Sequence, residues 1–473
     1  MIHAQNLLFG GMVVLFCTSI GPSIAYGEDA DPSRISDTPI ELQVESLPER
    51  PSPLLELGES YFDTGPIDRG WELPGGAVWH PSLVVWGIYR TALQTFETSD
   101  GRTTEWSNRL DLFGNLALSG TERVLLGVRP LDQSGQFTRY TFQTPTALEE
   151  EEGSFEQEFN FDLTTFFFEG DFGEILPFLD TRDARSLDLA LAVGRQPLVL
   201  QDGILLNDSV DSVGISKLNL KPRWAVNHRV AVIWGFNELH RTNLSRDDDD
   251  AQLFGISNDI DWRWSTVELD ALYVTSTETG NSFHGGVGAI QRLGHYSTTV
   301  RILGSLAEDE ETPHAADGAL LFVESSRTVS ATNDLVYLNG FWAIESFRSA
   351  SRDPSAGGPV GRTGILFEAA GIGRYRAALA SNTDDALGVG AGYQLFFNET
   401  RTHLLVELGH RHATEDTGQR ATAIGARVQH AIGRRSVLRF DIFTSYGDSR
   451  LTPEAVRDED FDFGGRLEWM LHL

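Results

Sequence analysis

Arginine and carboxylate side chains alternate with apolar residues along many short segments of this chain. The spacing would allow ion pairing, because Arg109 and Asp111 stand two residues apart, as do Arg439 and Asp441. It would also allow anion binding, because a guanidinium group presents a planar fork of donors that suits carboxylates and phosphates in two-point contact. The candidate residues of this kind are Arg109, Asp111, Arg123, Arg129, Asp188, Arg229, Glu268, Asp270, Arg301, Arg374, Arg376, Arg427, Arg439, Asp441, Arg466 and Glu468.

No enzyme motif accompanies these charges. The sequence contains no Gly-x-Ser-x-Gly, HExxH or P-loop pattern, and no trio of nucleophile, base and orienting carboxylate stands out. His410 and His412 with Glu407 could suggest a metal site, but strand alternation puts the histidines on one face and Glu407 on the other. We therefore predict no catalytic residue, no metal and no cofactor.

Strands are the elements that would position these charges, because a strand sends successive side chains to opposite faces. In the last stretch of the chain, one face carries Phe461, Phe463, Leu467, Trp469 and Leu471, and the other carries Asp462, Arg466 and Glu468. An apolar face of this kind can meet lipid while the charged face lines a wet lumen. Similar segments of about ten residues recur from Pro81 onward, so the candidate residues are predicted to line a pore.

The connections between these segments also alternate in length. Gly447–Asp460 and Phe347–Arg362 are long, whereas Gly433–Ser436 and Gly371–Gly373 are read as tight turns. Short periplasmic turns and long external loops are typical of outer-membrane barrels. We therefore predict an all-β, transmembrane antiparallel β-barrel of about 18 strands (16–20) in the bacterial outer membrane.

The first eighty residues precede this pattern. The apolar run Leu7–Ile20 is followed by Ala25-Tyr26-Gly27, which predicts a secretory signal peptide over residues 1–27. Residues 28–80 are acidic, interrupted by prolines and without a persistent period, which predicts an extended periplasmic segment before a barrel of residues 81–473. The single cysteine, Cys17, lies in the predicted signal peptide, so the mature chain has no disulfide.

The charge distribution bears on partners. A formal net charge of −31 argues against nucleic acid. Acidic runs such as Asp247–Asp250 are read as solvated external loop tips, with divalent-cation bridging to lipopolysaccharide or a charged vestibule as the alternatives. The terminal strand, ending in the apolar Leu473, resembles the assembly signal of outer-membrane proteins. The expected partners are outer-membrane lipid, lipopolysaccharide and the barrel-assembly machinery, with a periplasmic or sheathed partner protein as a further alternative.

The segment Leu187–Leu220 carries the most specific pattern. Its motif residues Gly194, Arg195, Gln196, Asp202, Gly203, Asp208 and Asp211 resemble the alginate-export family and other porin-like outer-membrane barrels. Tyr89-Arg90, in the first predicted strand, is similar to the opening strand of that family. The resemblance implies one monomeric barrel that passes an anionic polysaccharide or a related solute.

Arg195 poses a local question, because simple parity points it toward lipid. A bare arginine at mid-bilayer costs about 2–4 kcal/mol, falling toward zero at the interface. Arg195 therefore either sits at the outer rim, with a salt bridge to an external loop through Asp202 or Asp208, or is turned inward by a bulge near Gly194.

Two functions remain open at this point. The first is an outer-membrane channel or exporter for a polar, anionic solute. The alternative is a non-catalytic sheath or docking platform for a partner protein. Because arginines outnumber acids on the polar parity, which includes Glu407 and Asp462, we predict a weak anion preference at the constriction. Pairing of those arginines with Asp111, Glu268, Asp441 and Glu468 would abolish the preference.

Overall fold

The structure is a computed structural model, and it describes residues 51–58, 70–98, 101–133, 135–145, 153–178, 187–241, 247–308, 312–330, 332–414, 418–448 and 459–473. The predicted signal peptide lies outside the described residues, as do residues 28–50 and 59–69 of the predicted periplasmic segment. In the described part of that segment, Leu55–Leu57 pairs with the first barrel strand, and Trp71–Glu72 pairs with Val78–Trp79. No helix within the described ranges is long and apolar enough to cross a membrane.

Eighteen antiparallel strands close into one barrel, which confirms the predicted fold class. In chain order they are β1 Ser82–Thr98, β2 Gly101–Ala117, β3 Arg123–Val128 continued by Gln136–Gln143, β4 Ser154–Glu156 continued by Leu163–Asp171, β5 Ala190–Leu200, β6 Leu206–Leu220, β7 Asn227–Asn237, β8 Gln252–Asp261, β9 Ser265–Thr275, β10 Ser282–Leu293, β11 Tyr296–Ala307, β12 Gly318–Thr328, β13 Leu335–Glu345, β14 Ala386–Phe397, β15 Thr402–Ala413, β16 Arg420–Ile432, β17 Ser436–Asp448 and β18 Glu459–His472. The barrel closes where β18 pairs with β1, from Phe463↔Glu97 to His472↔Ile88.

The alternation seen in the sequence sorts side chains between the two faces of the wall. Apolar residues such as Val232, Trp234, Leu338 and Ile442 are about half exposed on the outer surface. They belong to an outward apolar band of the kind that meets lipid in outer-membrane barrels. The opposite positions point inward, where polar groups such as Glu105, Arg301 and Glu468 are fully buried.

The connections at the two ends of the barrel differ in length, as predicted, but with exceptions. β16 and β17 are joined by residues 433–435, whereas residues 346–385 join β13 to β14 at the other end. The connection from β4 to β5 is long although it lies at the short-turn end, and it begins with the helix α1, Phe172–Ile175. The reading of Gly371–Gly373 as a turn between strands is wrong, because these residues belong to the 346–385 connection.

That connection, which we call the lumen loop (residues 346–385), folds into the barrel. A second connection, the inner turn (residues 201–205, between β5 and β6), folds inward beside it. Phe347 and Phe367 of the lumen loop and Ile204 of the inner turn are fully buried, and they belong to one hydrophobic core with inward residues of the wall, including Phe322 and Leu272. Burying each large side chain stabilises the docked loops by about 1.5–3 kcal/mol. One side of the lumen is therefore filled, and polar groups concentrate on the other side.

Strands β3 and β4 are interrupted partway along the wall. Between the two parts of β3, Asp132–Gln133 forms a short hairpin with Gln136–Phe137. Gly135 in this hairpin approaches Pro354 of the lumen loop, which places the hairpin inside the barrel. The segment that interrupts β4 lies beside this hairpin, because Asn160 donates to the backbone carbonyl of Asp132 at 3.0 Å.

Candidate functional site

The lumen loop is clamped to the opposite wall by arginines. Arg90 on β1 donates to the carbonyl oxygen of Ala370 at 2.9 Å, and Arg109 on β2 donates to that of Gly371 at 2.8 Å. Arg466 on β18 approaches the Ala370 carbonyl at 3.4 Å. These contacts bring residues 368–376 of the loop against the wall formed by β1, β2 and β16–β18, and so narrow the lumen at this level. We call this narrowed part of the lumen the constriction.

Carboxylates on neighbouring strands pair with these arginines. Glu468 accepts from Arg90 Nε at 2.6 Å, and Asp441 accepts from Arg427 Nε at 2.6 Å and from Arg466 Nε at 3.0 Å. Glu468 and Arg466 are almost completely buried. The cross-strand pairs that the sequence suggested as an alternative to anion binding are therefore present, and they hold this part of the wall in one arrangement.

A second group of charges continues along β2 and β3. Asp111 accepts from Arg109 Nε and from Arg129 Nε, both at 2.8 Å. Arg129 also pairs with Asp132 at 2.9 Å, in the hairpin that projects inward. This group connects the constriction with the interrupted part of the wall.

Three groups at the constriction are less completely paired than the rest. The nearest carboxylate oxygen to Arg439, on Glu468, is 3.6 Å away, and among the described residues Arg439 Nε has no hydrogen-bond partner. Arg376 is exposed, with its guanidinium 5.8 Å from the ring centre of Phe96. The hydroxyl of Tyr375 is buried and also lacks a partner among the described residues. Arg376 can bind an anion without breaking an existing contact, whereas the Tyr375 hydroxyl and Arg439 Nε are covered and must be uncovered before an anion reaches them.

The Tyr375 hydroxyl remains a donor at all ordinary pH values. Burial, reinforced by the carboxylate of Asp441, raises the pKa of Tyr375 above its usual value. Its ring lies 5.4 Å from the Arg466 guanidinium, and Arg376, Arg427 and Arg466 line the same crevice with Glu368 and Asp441. A protonated phenol among guanidinium groups is suited to a carboxylate, because each partner donates to the anion.

Glu407 on β15 holds the lumen loop from the other side. Its carboxylate accepts from the backbone amides of Ile365 at 2.9 Å and Leu366 at 3.0 Å, and also from the Tyr337 hydroxyl. A Cβ atom on Gly364 would lie 2.1 Å from Glu407 Oε2, so a side chain there would displace the carboxylate from this contact. Glu407 faces inward, as its parity predicted, and here it latches the loop.

Glu268, Asp270 and Arg301 also face inward but serve the inner turn. Arg301 is fully buried and lies 3.0 Å from Glu324, 3.6 Å from Glu268 and within contact of Asp202. Asp270 accepts from Gln201 at 2.6 Å. These predicted pore-lining residues fix the inner turn against the wall, and their contacts do not include the constriction.

The remaining predicted pore-lining residues are dispersed. Arg123 pairs with Glu169 at 2.6 Å, and Arg229 lies 3.3 Å from Asp259, in each case near the short-turn end of the barrel. Asp188 precedes β5 and lies 3.8 Å from Lys217. Arg374 and Arg376 lie in the lumen loop and not on a strand, which corrects their predicted position. Arg374 pairs with Glu105 of β2 at 2.9 Å.

The motif on β5 and β6 is a connected part of the wall. Gly194 has φ +125°, and an added Cβ would lie 2.3 Å from the carbonyl oxygen of Phe166 on β4, so the position requires glycine. Gln196 donates to Ser212 at 2.9 Å. Gly203 turns the chain inward with φ +81°. The motif thus shapes the wall and the inner turn.

Arg195 keeps its outward parity at the outer rim. It donates to Asp211 at 2.9 Å and pairs with Glu238 at 2.7 Å. A salt bridge was expected, but the expected partners were wrong, because Asp202 contacts Arg301 and Asp208 bonds to His240. The inward turn at the neighbouring glycine is not needed, since Asp211 lies at the level where β7 ends and the charge is near the interface.

Several residues of the constriction were missed as site residues. Arg90 lies on the inward parity of β1 and could have been found from alternation. Glu105 and Glu368 are also in contact with predicted arginines. Tyr375 and Glu368 carried no periodic signal, because they lie in a loop whose position depends on the whole barrel.

The histidine pair shows no sign of a metal site. His410 and His412 point outward with ring centres 6.4 Å apart, while Glu407 is inside. Over the described ranges, no group of three or more histidine, cysteine, aspartate or glutamate residues is arranged to hold a metal ion.

Comparison with protein-family models and with curated protein sequences gives no match. Solved structures are similar. Pseudomonas aeruginosa OccK2 (OpdF) matches with a TM-score of 0.53 and 10% identity over 83% of this chain and 97% of that one. The same protein in complex with glucuronate gives 0.51 and 10%, over 83% and 98%. P. aeruginosa OpdK with vanillate gives 0.51 and 12%, over 82% and 98%.

At these identities the similarity establishes the fold. The chain has the fold of a porin-like outer-membrane barrel, and together with its outward apolar band this places the protein in the bacterial outer membrane. The narrower resemblance to the alginate-export family remains a prediction.

Proposed function

We propose that this protein is an outer-membrane channel for small polar solutes that carry a carboxylate. The observation that carries the proposal is the group of incompletely paired donors at the constriction, Tyr375, Arg376 and Arg439. A carboxylate that passes the lumen loop can accept first from the exposed Arg376, and from Tyr375 and Arg439 when side-chain movement uncovers them, while the paired arginines hold the wall in place. The bound solute can be released, because neighbouring carboxylates of the protein repel the anion and weaken its binding.

The charge balance of the constriction supports this proposal. Its arginines are Arg90, Arg109, Arg374, Arg376, Arg427, Arg439 and Arg466. Its carboxylates are Glu105, Asp111, Glu368, Asp441 and Glu468. The arginines remain in excess after pairing, so a weak anion preference is expected. External acidic runs contribute little at this depth, because salt screens exposed charges beyond roughly 8 Å.

The size of the solute is limited by the lumen loop. The loop and its core occupy one side of the barrel and meet the opposite wall at Ala370 and Gly371. A small solute is therefore favoured over a polysaccharide. Glucuronate and vanillate, the molecules bound in two of the similar structures, are small carboxylates of this class.

The alternative function, a sheath around a partner protein, is less well supported. A sheath needs an open lumen, whereas here the fully buried Phe347 and Phe367 fill one side of it. A docking platform formed by residues 28–80 remains a hypothesis, and co-purification of a stoichiometric partner in mild detergent would support it.

Reversal potentials and solute flux test the proposal. In a KCl gradient across a planar bilayer, wild-type protein should show a weak anion preference. Arg376→Gln and Arg439→Gln should remove it. Arg292→Gln, which removes an exposed charge at the short-turn end, should leave it unchanged. Liposomes that contain wild-type protein should take up glucuronate faster than glucose. This difference in uptake should be smaller with the double variant Arg376→Gln, Arg439→Gln. Strong cation selectivity that survives both substitutions would refute the proposal.

A further inference from the structure

The barrel wall is incomplete beside the outer part of β5. Residues 129–133 and 135, and residues 157–162, leave the wall at this level. The outermost pair between β4 and β5 is Phe166↔Arg195, although β5 continues outward beyond it. Among the residues that the structure describes, the edge Gln196–Leu200 has a strand neighbour on the β6 side alone. The described residues therefore leave a lateral gap in the outer part of the wall.

A cavity of about 730 Å³ lies at this gap and is lined by residues from both faces of the wall. Its lining includes Phe166 and Arg195, which have outward parity, and Arg129 and Asp353, which belong to the lumen. The cavity therefore connects the lumen with the outer surface of the barrel. We call it the wall cleft.

The outer rim of the wall cleft is apolar. Phe161 lines it and is 67% exposed, and Phe159, whose ring centre is 5.1 Å from that of Phe161, is 61% exposed. Phe166 adds a third half-exposed ring at the lower edge. Exposed apolar side chains grouped in this way mark a surface that contacts membrane or an apolar ligand.

The charged lining of the wall cleft is acidic overall. It contains two arginines, Arg129 and Arg195, and His240. Its carboxylates are Asp132, Asp162, Asp208, Asp211, Glu238, Asp247 and Asp353. The net charge of the wall cleft is therefore opposite in sign to that of the constriction. A molecule that fits both the rim and the charged lining of the cleft has an apolar body for the phenylalanine rim and a positive group for the carboxylates.

We propose that the wall cleft binds amphipathic organic cations and admits them between the headgroup region of the outer leaflet and the lumen. The ammonium group would lie among the carboxylates, where it gains charge-assisted hydrogen bonds. The aromatic or alkyl part would lie against Phe159 and Phe161, with cation–π contact available to the same rings. This property goes beyond the proposed passage of anions and uses different residues.

Calorimetry on the full chain in a non-ionic detergent tests the ligand class. The probe is 2-phenylethylammonium, with 2-phenylethanol as its neutral analogue and 3-phenylpropionate as its anionic one. The amine should bind most tightly. The double variant Asp162→Asn, Asp247→Asn should weaken binding about tenfold, as expected for two partly exposed ion pairs. Phe161→Ala should weaken it as well.

The control variant is Arg439→Gln, which alters the constriction and should leave amine binding unchanged. Amine binding in a protein without anion preference would uphold the wall cleft and refute only the channel proposal. Equal binding of the three probes would overturn the inference, as would wild-type affinity in the double carboxylate variant when that variant conducts normally.

Photo-crosslinking in liposomes tests lateral access. The variant Phe161→p-benzoylphenylalanine should crosslink to lipid, as should the same substitution at the outward residue Val232, which is 57% exposed. Crosslinking to lipid at position 232 but only to protein at position 161 would show a closed luminal pocket and overturn lateral access.

Discussion

Removing the Glu407 carboxylate should release the lumen loop. Glu407 is fully buried and accepts two backbone amide bonds from the loop, at 2.9 Å and 3.0 Å. Hydrogen bonds to a charged group contribute about 1.5–3 kcal/mol each, so Glu407→Ala should destabilise the docked loop by about 3–6 kcal/mol. Because about 1.4 kcal/mol changes an equilibrium constant tenfold, the undocked population should rise by about 10² to 10⁴.

Single-channel recording and limited proteolysis measure this release. Glu407→Ala should give a larger and noisier conductance and should expose the lumen loop to protease. Glu407→Gln should be intermediate, because the amide oxygen still accepts one bond. Glu399→Gln, in an exposed turn next to the same strand, is the matched charge control. If Glu407→Ala kept the wild-type conductance and a protected loop, the latch assignment would be wrong.

Three further predictions concern the wall and the loops. Burial opposes charge on His240, but the hydrogen-bonded Asp208 carboxylate outweighs burial and raises the pKa of His240. The ion pair between protonated His240 and Asp208 therefore stabilises the fold fully below about pH 6.5, and this stabilisation is lost as the pH rises through the pKa of His240 in the folded protein. The gap in melting temperature between wild type and His240→Gln should narrow from pH 6 to pH 9, and a constant gap would contradict this assignment. Gly194→Ala should lower the urea midpoint of the refolded barrel, since its Cβ would meet backbone at 2.3 Å at positive φ, whereas Gly214→Ala, with its nearest atom at 4.0 Å, should not. Arg352→Lys should destabilise the docking of the lumen loop and the inner turn by about 1.5–3 kcal/mol, because one ammonium group cannot bridge the carbonyls of Gly203, Gly357 and Gly358 that the guanidinium group bridges. Faster hydrogen exchange in both segments would show this.

The terminal strand shows why the barrel could be predicted from local pattern. β18 pairs along its length with β17 and β1, and the predicted apolar face, including Phe461, Leu467 and Trp469, is exposed on the outer surface. Strand alternation depends only on neighbouring residues. A membrane also leaves few alternatives, because every backbone group in it must be paired.

Parity was a weaker guide to what the inward side chains do. It placed Arg109, Arg427 and Arg466 inside, where they meet at the constriction. It placed Arg301 and Glu268 inside as well, yet they hold the inner turn. Parity also did not predict that some inward positions of β9 and β12, such as Leu272 and Phe322, are apolar. They are apolar because a loop packs on them.

The sequence by itself determined the β-barrel, the outward apolar band and the inward set of charges, because each follows from a two-residue period repeated along the chain. Only the tertiary structure decided where the lumen narrows and where the wall opens. Both depend on contacts between residues far apart in sequence, such as Arg90 with Ala370 of the lumen loop, and Asp208 with His240 beside the wall cleft. Such contacts have no period, since they arise when the closed barrel brings a folded-in loop against a particular wall.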